Sequence, residues 1–236
     1  MDLKKLLQKL HKSVYDKNYT CYLCRGEVFQ GETFCRDCQK SLPYNFTFCP
    51  KCGRKITQMG YCMDCRSSLL AVDKARSLFR YECEAINLIH AFKKGNPYMA
   101  EGIAQELLPI VEREFFDADF ITFVPMTKAA EDRRGYNQSA LLAHTMSAFS
   151  GILLEELFEK MRDTSEQKSL TRKERSQNLH GAFRLKQRAI CKGKTVLIID
   201  DTLTTGATVG ELSRLLYGAK VKKVYLLTVA SVVLQK

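Results

Sequence analysis

From residue 67 onward, the chain alternates uninterrupted apolar runs with longer segments whose apolar residues recur at helical spacing. The segments Lys194–Ile199 and Val221–Val233 show little alternation with polar residues, which is typical of strands covered on both faces. Gly95-Asn96-Pro97 separates two of the helical segments. Because strands that alternate with helices favour a parallel arrangement, the pattern predicts an α/β fold with a parallel sheet flanked by helices.

The same pattern predicts the individual elements. The predicted strands are Ala75–Tyr81, Phe120–Val124, Lys194–Ile199 and Val221–Val233. The predicted helices are Glu84–Lys94, Tyr98–Phe116, Tyr136–Phe149 and Thr208–Tyr217. Leu154–Met161 fits either a strand or the end of a helix, and that choice remains open.

Composition divides the chain into three predicted regions. Residues 1–20 are predicted to form a basic amphipathic helix, residues 21–66 contain most of the cysteines, and residues 67–236 form the α/β domain. No apolar run approaches the roughly 18 residues of a membrane-spanning helix. Lysines interrupt the N-terminal apolar stretch that a secretory signal needs, so we expect a cytoplasmic protein without a membrane span.

The segment Val196–Thr208 has the order of residues expected of a pocket for a ribose 5-phosphate. A buried strand delivers two adjacent acids at its carboxyl end, where open α/β sheets bind ligands. A Thr/Gly loop then enters a helix, whose N-terminus favours a phosphate. The rival interpretation is a capped turn without a ligand. The residues predicted to bind the ligand are Asp200, Asp201, Thr202, Thr204, Thr205, Gly206, Ala207 and Thr208.

Two basic segments upstream are candidates for contacts with a pyrophosphate. The first follows the strand that ends at Pro125, and there we expect Gly135 to open a helix. The second, Arg162–Lys194, fits a flap that closes over a polyphosphate, a solvated surface hairpin or a contact with a nucleic-acid backbone. The candidate cations are Lys128, Arg133, Arg134, Arg162, Arg172 and Arg175.

Eight of the ten cysteines form four CxxC pairs, which is a pattern of metal binding rather than of disulfides in a reducing compartment. The pairs are Cys21/Cys24, Cys35/Cys38, Cys49/Cys52 and Cys62/Cys65. Two pairs complete a tetrahedral site of four sulfurs, so the sequence predicts two structural zinc ions in two small zinc ribbons. Sequential and interleaved assignment of the pairs both remain open, and an iron–sulfur cluster is the rival cofactor.

The net charge of +11 suits a polyanionic partner such as a nucleic acid or a pyrophosphate ester, although a solvated basic surface explains it equally well. Aromatic and basic residues lie among the cysteines. This mixture suits binding of single-stranded nucleic acids, because bases stack on aromatic rings and cations contact the phosphates. Single-stranded DNA is therefore a candidate partner beside a small phosphorylated ligand.

Val196–Thr208 resembles the phosphoribosyl pyrophosphate motif of type I phosphoribosyltransferases. The resemblance implies that Asp200 and Asp201 hold the ribose hydroxyls, directly or through Mg²⁺, and that the Thr/Gly loop binds the 5-phosphate. Purine-salvage members carry an aspartate where this chain has Thr204, so salvage of 6-oxopurines is disfavoured.

Three segments together resemble the ComF family of ComFC-type competence proteins: VP followed by RRGYNQ, then RDTSEQKSLTRKERSQNLHGAF, then VLIIDDTLTTGAT. The cysteine region matches as well. Glu131 and Asp132 stand where the family carries additional arginine, which weakens the anion site, and Tyr136 replaces the usual phenylalanine. The resemblance implies a double zinc ribbon followed by a type I phosphoribosyltransferase-like domain.

The resemblance also implies a function. The family is associated with uptake of transforming single-stranded DNA, with a competence helicase and a DNA-processing protein as partners. We therefore expect a protein that binds phosphoribosyl pyrophosphate with magnesium, or a nucleotide, and handles single-stranded DNA during natural transformation. The alternative is an active phosphoribosyltransferase with an unknown acceptor, and no catalytic residue is assigned.

Overall fold

The computed structural model describes residues 20–29, 31–57, 60–67, 70–163 and 178–232. The chain divides into two compact units, Met1–Leu42 and Pro43–Lys236. The predicted helix over residues 1–20 lies outside the described residues except for its last position. The cysteine region is shared between the units, and the predicted boundary between residues 66 and 67 stays a prediction.

In the first unit, the described residues form a cysteine turn and one short helix. The turn closes with a hydrogen bond from the Cys21 amide to the Gly26 carbonyl at 2.7 Å, and Thr20 bridges to Glu27. Helix α1, Arg36–Ser41, begins directly after Cys35. Each CxxC pair of this unit therefore lies in a tight turn or at a helix start.

The second unit contains the remaining described elements. Its helices are α2 (Met63–Arg66), α3 (Glu84–Lys93), α4 (Met99–Glu114), α5 (Lys128–Arg134), α6 (Gln138–Ser150) and α7 (Ala207–Gly218). Its strands are β1 (Lys74–Arg80), β2 (Phe120–Phe123), β3 (Leu153–Leu154), β4 (Phe158–Lys160), β5 (Phe183–Leu185), β6 (Thr195–Leu203) and β7 (Lys223–Ser231).

Five of these strands form one sheet in the order β1-β7-β6-β2-β3, and every neighbouring pair is parallel. Their side chains are apolar and buried over continuous runs, as in Val196–Ile199, because helices and the CxxC cysteines of the second unit pack against the sheet. Strands β4 and β5 form a separate antiparallel pair. The predicted parallel α/β fold with flanking helices is confirmed.

Alternate residues of β6 face opposite layers of the unit, as the pleat of a strand requires. Val196 and Ile198 belong to a buried cluster that also contains Leu212 and Leu216 of α7. The same cluster contains Cys49, Cys52 and Cys65, the three buried cysteines of the CxxC pairs in the second unit. Helix α6 contacts β6 and β2 and packs against α4. The second cysteine group is thus part of the core of the α/β unit.

Two elements differ from the sequence prediction, and the structure decides a third that the sequence left open. Strand β6 continues to Leu203, because Thr202 and Leu203 still pair with β7. Gly135 ends helix α5 in a left-handed conformation, with φ of 90°, and does not open a helix. The prediction missed α5 because its seven residues carry no apolar period. Leu154–Met161 contains the end of β3 and the strand β4 rather than a helix end.

Candidate ribose-phosphate site and metal centres

The two acids of the predicted ligand segment lie near the carboxyl end of β6, and neighbouring elements hold both. Ser139, in the first turn of α6, donates a hydrogen bond of 2.9 Å from Oγ to Oδ1 of Asp200. The ammonium group of Lys93, at the end of α3, forms an ion pair with Oδ2 of Asp201. Thr202 Oγ1 donates to the same oxygen at 3.2 Å. The site thus combines two carboxylates, one cation and two hydroxyls.

Asp200 binds a proton more tightly than an ordinary aspartate. Burial and the adjacent charge of Asp201 raise the pKa of Asp200 to about 8, although hydrogen bonds from Ser139 and from the Asp201 amide act in the opposite direction. Ionisation of both carboxylates at neutral pH is therefore unfavourable unless a further cation or hydrogen-bond donor reaches the pair. Such crowding is common where a site receives a cation or a polar ligand.

This shift predicts that stability falls as pH rises. The folded protein holds the Asp200 proton up to about pH 8, whereas the unfolded chain releases it near pH 4, so the contribution is complete below pH 4 and is lost by pH 8. Between about pH 5 and pH 8, the free energy of unfolding should decrease by at most about 1.4 kcal/mol per pH unit from this group. Urea denaturation of Asp200→Asn should lack this slope.

Asp119 provides the matched control for that measurement. Hydrogen bonding from the Thr195 amide and the nearby Lys194 charge lower the pKa of Asp119, so it stays ionised above pH 5 in both states. Asp119→Asn should therefore keep the decrease in stability that Asp200→Asn removes. Equal slopes for Asp200→Asn and the unchanged protein would contradict the assignment.

The Thr/Gly loop turns directly from β6 into α7. Gly206 adopts φ of 83°, a left-handed conformation that favours glycine, and helix α7 begins at Ala207. A Cβ atom on Gly206 would lie 2.5 Å from Cδ1 of the buried Leu70. The loop therefore has no room for a side chain at this position. Its backbone presents the N-terminus of a twelve-residue helix, which is a favourable place for a phosphate.

Arg54 supports this loop from the second cysteine group. Its Nη2 donates to the carbonyl oxygen of Thr204 at 2.5 Å, and its Nη1 donates to Oδ2 of Asp64 at 3.0 Å. The side chain of Arg54 is fully buried. Sequence reasoning missed this contact because Arg54 and Thr204 are 150 residues apart along the chain.

Sequence reasoning also missed Lys93 and Ser139 as neighbours of the acid pair. Lys93 ends an amphipathic helix, where a lysine is unremarkable. Ser139 directly follows the RRGYNQ segment, so the resemblance to the ComF family placed it beside a functional motif without assigning it a role. Only the packing of α3 and α6 along the edge of the sheet brings both residues to Asp200 and Asp201.

The candidate cations of the first basic segment lie on or beside α5. Arg133 pairs with Asp163 at 3.4 Å, and Arg134 donates to Oε1 of Gln138 at 2.9 Å. Lys128 lines a cleft of about 650 Å³. The cleft is lined by Met126, Lys128, Glu131, Asp132, Gly135, Glu159 and Lys160. Their role in binding pyrophosphate stays a prediction, since Glu131 and Asp132 place acids beside the lysines.

The second basic segment is described only at its ends. Arg162 donates from Nη2 to the carbonyl oxygens of Asn178 at 2.9 Å and His180 at 3.3 Å, so it joins the two ends. Glu211 of α7 accepts a hydrogen bond of 3.1 Å from the Gly181 amide. Arg172 and Arg175 lie outside the described residues, and the predicted flap stays a prediction.

The eight CxxC cysteines form two groups in which four sulfur atoms lie within 4.8 Å of one another. The groups are Cys21, Cys24, Cys35 and Cys38, and Cys49, Cys52, Cys62 and Cys65. This is the sequential assignment. The Sγ atoms of Cys24 and Cys35 are 3.8 Å apart, and those of Cys52 and Cys62 are 3.5 Å apart. Tetrahedral zinc with bonds of about 2.3 Å separates its sulfurs by about 3.8 Å, so both groups fit this ion.

The electrostatics of the second group also fit a cation. Burial acts against ionisation of Cys49, but hydrogen bonds from the amides of Cys52 and Cys62 outweigh it and lower the pKa of Cys49 to about 7. Burial and the nearby charges of Cys65 and Cys49 raise the pKa of Cys52. Four thiolates therefore require a positive ion among them. Zinc here holds the two turns together and leaves no open position for catalysis.

Two family models match the chain. A double zinc ribbon domain matches residues 12–66, and a phosphoribosyl transferase domain matches residues 139–234. Competence protein F of Haemophilus influenzae is 30% identical over 212 residues, which cover 84% of this chain and 91% of that protein. The chain belongs to the ComF family. The two cysteine groups agree with the double zinc ribbon model, and the parallel sheet that follows them along the chain agrees with the phosphoribosyl transferase model.

Other ComF relatives match over the same extent. The DNA utilization protein YhgH of Escherichia coli K12 is 30% identical over 208 residues, covering 83% of this chain and 89% of that protein. Competence protein ComFC of Bacillus subtilis 168 is 26% identical over 218 residues, covering 83% and 88%. Among the described residues of this ComF member, no helix is both long and apolar enough to cross a membrane.

Proposed function

We propose that this ComF-family chain binds phosphoribosyl pyrophosphate, or a related ribose 5-phosphate, and acts in the handling of single-stranded DNA during natural transformation. The observation that carries the first part is the arrangement of Asp200, Asp201 and Gly206. Two carboxylates lie near the carboxyl end of a central strand, and a left-handed glycine then precedes a long helix. This arrangement offers acceptors for a ribose diol beside donors for a phosphate.

Each group of the site has a role in this proposal. Asp201 and Asp200 accept hydrogen bonds from the ribose hydroxyls, and the backbone from Thr204 to Thr208 donates to the 5-phosphate. Lys93 already neutralises part of the acid pair. Magnesium prefers carboxylate and phosphate oxygens, so the acids suit an ion that arrives with a diphosphate. Its chemical contribution is to offset the negative charge of the ligand beside the carboxylates.

The names of the relatives and the surface of the second unit support the second part. Relatives are named competence proteins and DNA utilization proteins, which supports a competence role. Phe46 is 84% exposed and stacks on Tyr44, and Tyr61 is 55% exposed. Lys55 is exposed and lies between Phe46 and Tyr61 along the chain. Exposed aromatic rings with nearby cations suit unstacked bases and their phosphates.

Calorimetric titration with phosphoribosyl pyrophosphate and Mg²⁺ tests the first part. Asp201→Asn should weaken binding by about tenfold or more, because the ribose loses a charged acceptor. The matched control is Asp119→Asn, which makes the same chemical change at the opposite end of β6, where Asp119 accepts from the Thr195 amide. No heat of binding to the unchanged protein, or equal affinity in both variants, would remove the proposed ligand.

Binding of single-stranded DNA tests the second part. Its affinity should fall steeply as salt increases, since phosphate contacts release counterions. Replacing both Phe46 and Tyr61 by alanine should weaken binding by about tenfold to a hundredfold through lost stacking. Phe116→Ala is the control, because that ring is 78% exposed but follows α4 at the amino-terminal edge of the sheet. A response to Phe116→Ala as large as that of the double variant would argue against this surface.

The alternative function is turnover by an active phosphoribosyltransferase, and one observation favours it. The cleft lined by Lys128 and Lys160 lies beside α5, which follows β2, the neighbour of β6 in the sheet. A cleft at this edge offers space for an acceptor. Release of pyrophosphate with any nucleobase or amine, abolished by Asp201→Asn, would establish turnover. Binding without release across all acceptors would restrict the protein to a ligand-binding role.

A further inference from the structure

Arg54 lies between the second cysteine group and the ligand loop, and its guanidinium forms a hydrogen bond with each of them. Its guanidinium joins Asp64 on one side and the Thr204 carbonyl on the other. Burying an arginine is costly unless its hydrogen bonds are satisfied. One of the hydrogen bonds of Arg54 is made to the loop that we propose as the phosphate site. The Nε atom of Arg54 has no hydrogen-bond partner among the described residues.

Arg54 and its partner Asp64 both belong to the second cysteine group, at one end of this contact. The backbone of Arg54 closes the first turn, because its carbonyl accepts from the Cys49 amide at 2.8 Å. Asp64 lies in α2, between Cys62 and Cys65 of the second turn. A zinc ion binds the two turns together and so fixes the position of Arg54 relative to Asp64.

The other end of the contact determines the shape of the ligand loop. Thr204 lies two residues before Gly206, whose left-handed conformation starts α7. Nη2 of Arg54 lies 3.9 Å from the position that a Cβ atom on Gly206 would occupy. Leu70, which packs against Gly206, shares a buried cluster with Cys49 and Cys65. Polar and apolar contacts of the cysteine group therefore both reach the loop.

We propose that Arg54 is a positioning residue that makes the affinity of the ligand loop depend on the metal state of the second cysteine group. This inference rests on the proposed function for the identity of the ligand, but the mechanical coupling itself does not require a ligand. With zinc bound, Arg54 holds the Thr204 carbonyl and the loop is ready for a phosphate. When zinc leaves, the two turns separate, Arg54 loses Asp64, and the loop loses its support.

Coupling of this kind is reciprocal. If zinc strengthens binding of the ribose phosphate by some factor, the ligand must strengthen retention of that zinc by the same factor. Loss of a charged hydrogen bond corresponds to about tenfold in an equilibrium constant, which sets the expected size of the effect. A purely structural role of Arg54 changes the overall stability but creates no such mutual dependence.

The test uses the full chain and three arginine variants. Arg54→Met removes both hydrogen bonds, and Arg54→Lys keeps the charge but cannot reach both partners with a planar fork. Arg66→Met is the matched control, because Arg66 is an exposed arginine of the same cysteine group whose Nε donates to the Tyr61 carbonyl at 3.0 Å. Zinc affinity is measured by equilibrium competition with a chromogenic chelator, with and without phosphoribosyl pyrophosphate, and Cys24→Ser identifies the transition that belongs to the first group.

In the unchanged protein and in Arg66→Met, the ligand should raise the zinc affinity of the second group about tenfold. In Arg54→Met and Arg54→Lys, the ligand should leave this affinity unchanged. Amide hydrogen exchange without ligand gives the independent readout. Removal of zinc should accelerate exchange at residues 204–208 in the unchanged protein, whereas in Arg54→Met these amides should already exchange rapidly and respond little to the metal.

Two results would overturn the proposal. One is exchange in the loop of the unchanged protein that does not respond to removal of zinc. The other is equal protection of zinc by the ligand in Arg54→Met and Arg66→Met. If phosphoribosyl pyrophosphate fails to bind any of the proteins, the proposed ligand is wrong, but the exchange experiment still decides whether Arg54 couples the two regions. If Arg54→Met does not fold, the comparison of Arg54→Lys with the unchanged protein provides the same test.

Discussion

Replacing Gly206 by valine is expected to abolish binding of phosphoribosyl pyrophosphate and to lower the free energy of unfolding by about 2–4 kcal/mol. The backbone of Gly206 has φ of 83°, which a β-branched residue adopts only with strain. Its Cβ would also lie 2.5 Å from Cδ1 of Leu70, in a buried position with little freedom to move. Both effects push the loop away from the shape that exposes the start of α7.

Gly210→Val is the control for this substitution. Gly210 lies one turn further along α7, and a Cβ atom there meets nothing within 4 Å among the described residues. The stability of this variant should change by less than about 1 kcal/mol, because valine is only a few tenths of a kcal/mol better than glycine in a helix. Chemical denaturation and calorimetric titration of both variants provide the measurement. Retention of ligand affinity in Gly206→Val would show that the loop is not the phosphate site.

Replacing Cys52 by serine is expected to cause the larger loss of stability. Cys52 is fully buried and belongs to the same core cluster as Val72, Leu203 and Val209. Zinc binding contributes about 10–16 kcal/mol to the folding of small zinc-dependent peptides, and losing one of four ligands removes much of such a contribution. We therefore expect the second unit to lose cooperative thermal unfolding, and not only the local structure around the cysteines.

Cys83→Ser is the matched control, because Cys83 is exposed and lies outside both cysteine groups. It should retain two zinc ions and the stability of the unchanged protein within about 0.5 kcal/mol. Cys52→Ser should retain one zinc ion. Differential scanning calorimetry and a colorimetric zinc assay distinguish these results. A Cys52→Ser protein that melts cooperatively at the original temperature would mean that the ion contributes nothing to the core.

Local signals were sufficient to predict the sheet. The run VLII and the final apolar segment are strands because their continuous burial leaves no polar face, and this property is visible in the sequence. The cysteine spacing likewise indicated two sites of four sulfurs, since a CxxC turn brings two sulfurs to one side whatever surrounds it. Buried strands and CxxC turns depend on residues close together in the chain, so the sequence pattern alone is sufficient to predict them.

Features that depend on packing between distant segments were not predictable in the same way. Lys93 and Arg54 reach the ligand segment from elements far away in sequence, and neither is an unusual residue at its own position. Gly135 was interpreted as the start of a helix, although its left-handed conformation ends α5. Glycine permits both, and the choice depends on whether the preceding residues are helical.

The order of the strands has a consequence for how the protein forms on the ribosome. Strand β1 pairs with β7, the last strand of the sheet, across a sequence separation of 151 residues at the Ser77–Thr228 contact. Because synthesis proceeds from the N-terminus, β1 emerges long before its partner and lacks its hydrogen bonds until the chain is almost complete. The cysteines that pack with β6 and α7 emerge equally early. Zinc can therefore bind these cysteines before the sheet is complete, and a metal-bound turn would then be a template for the final strand.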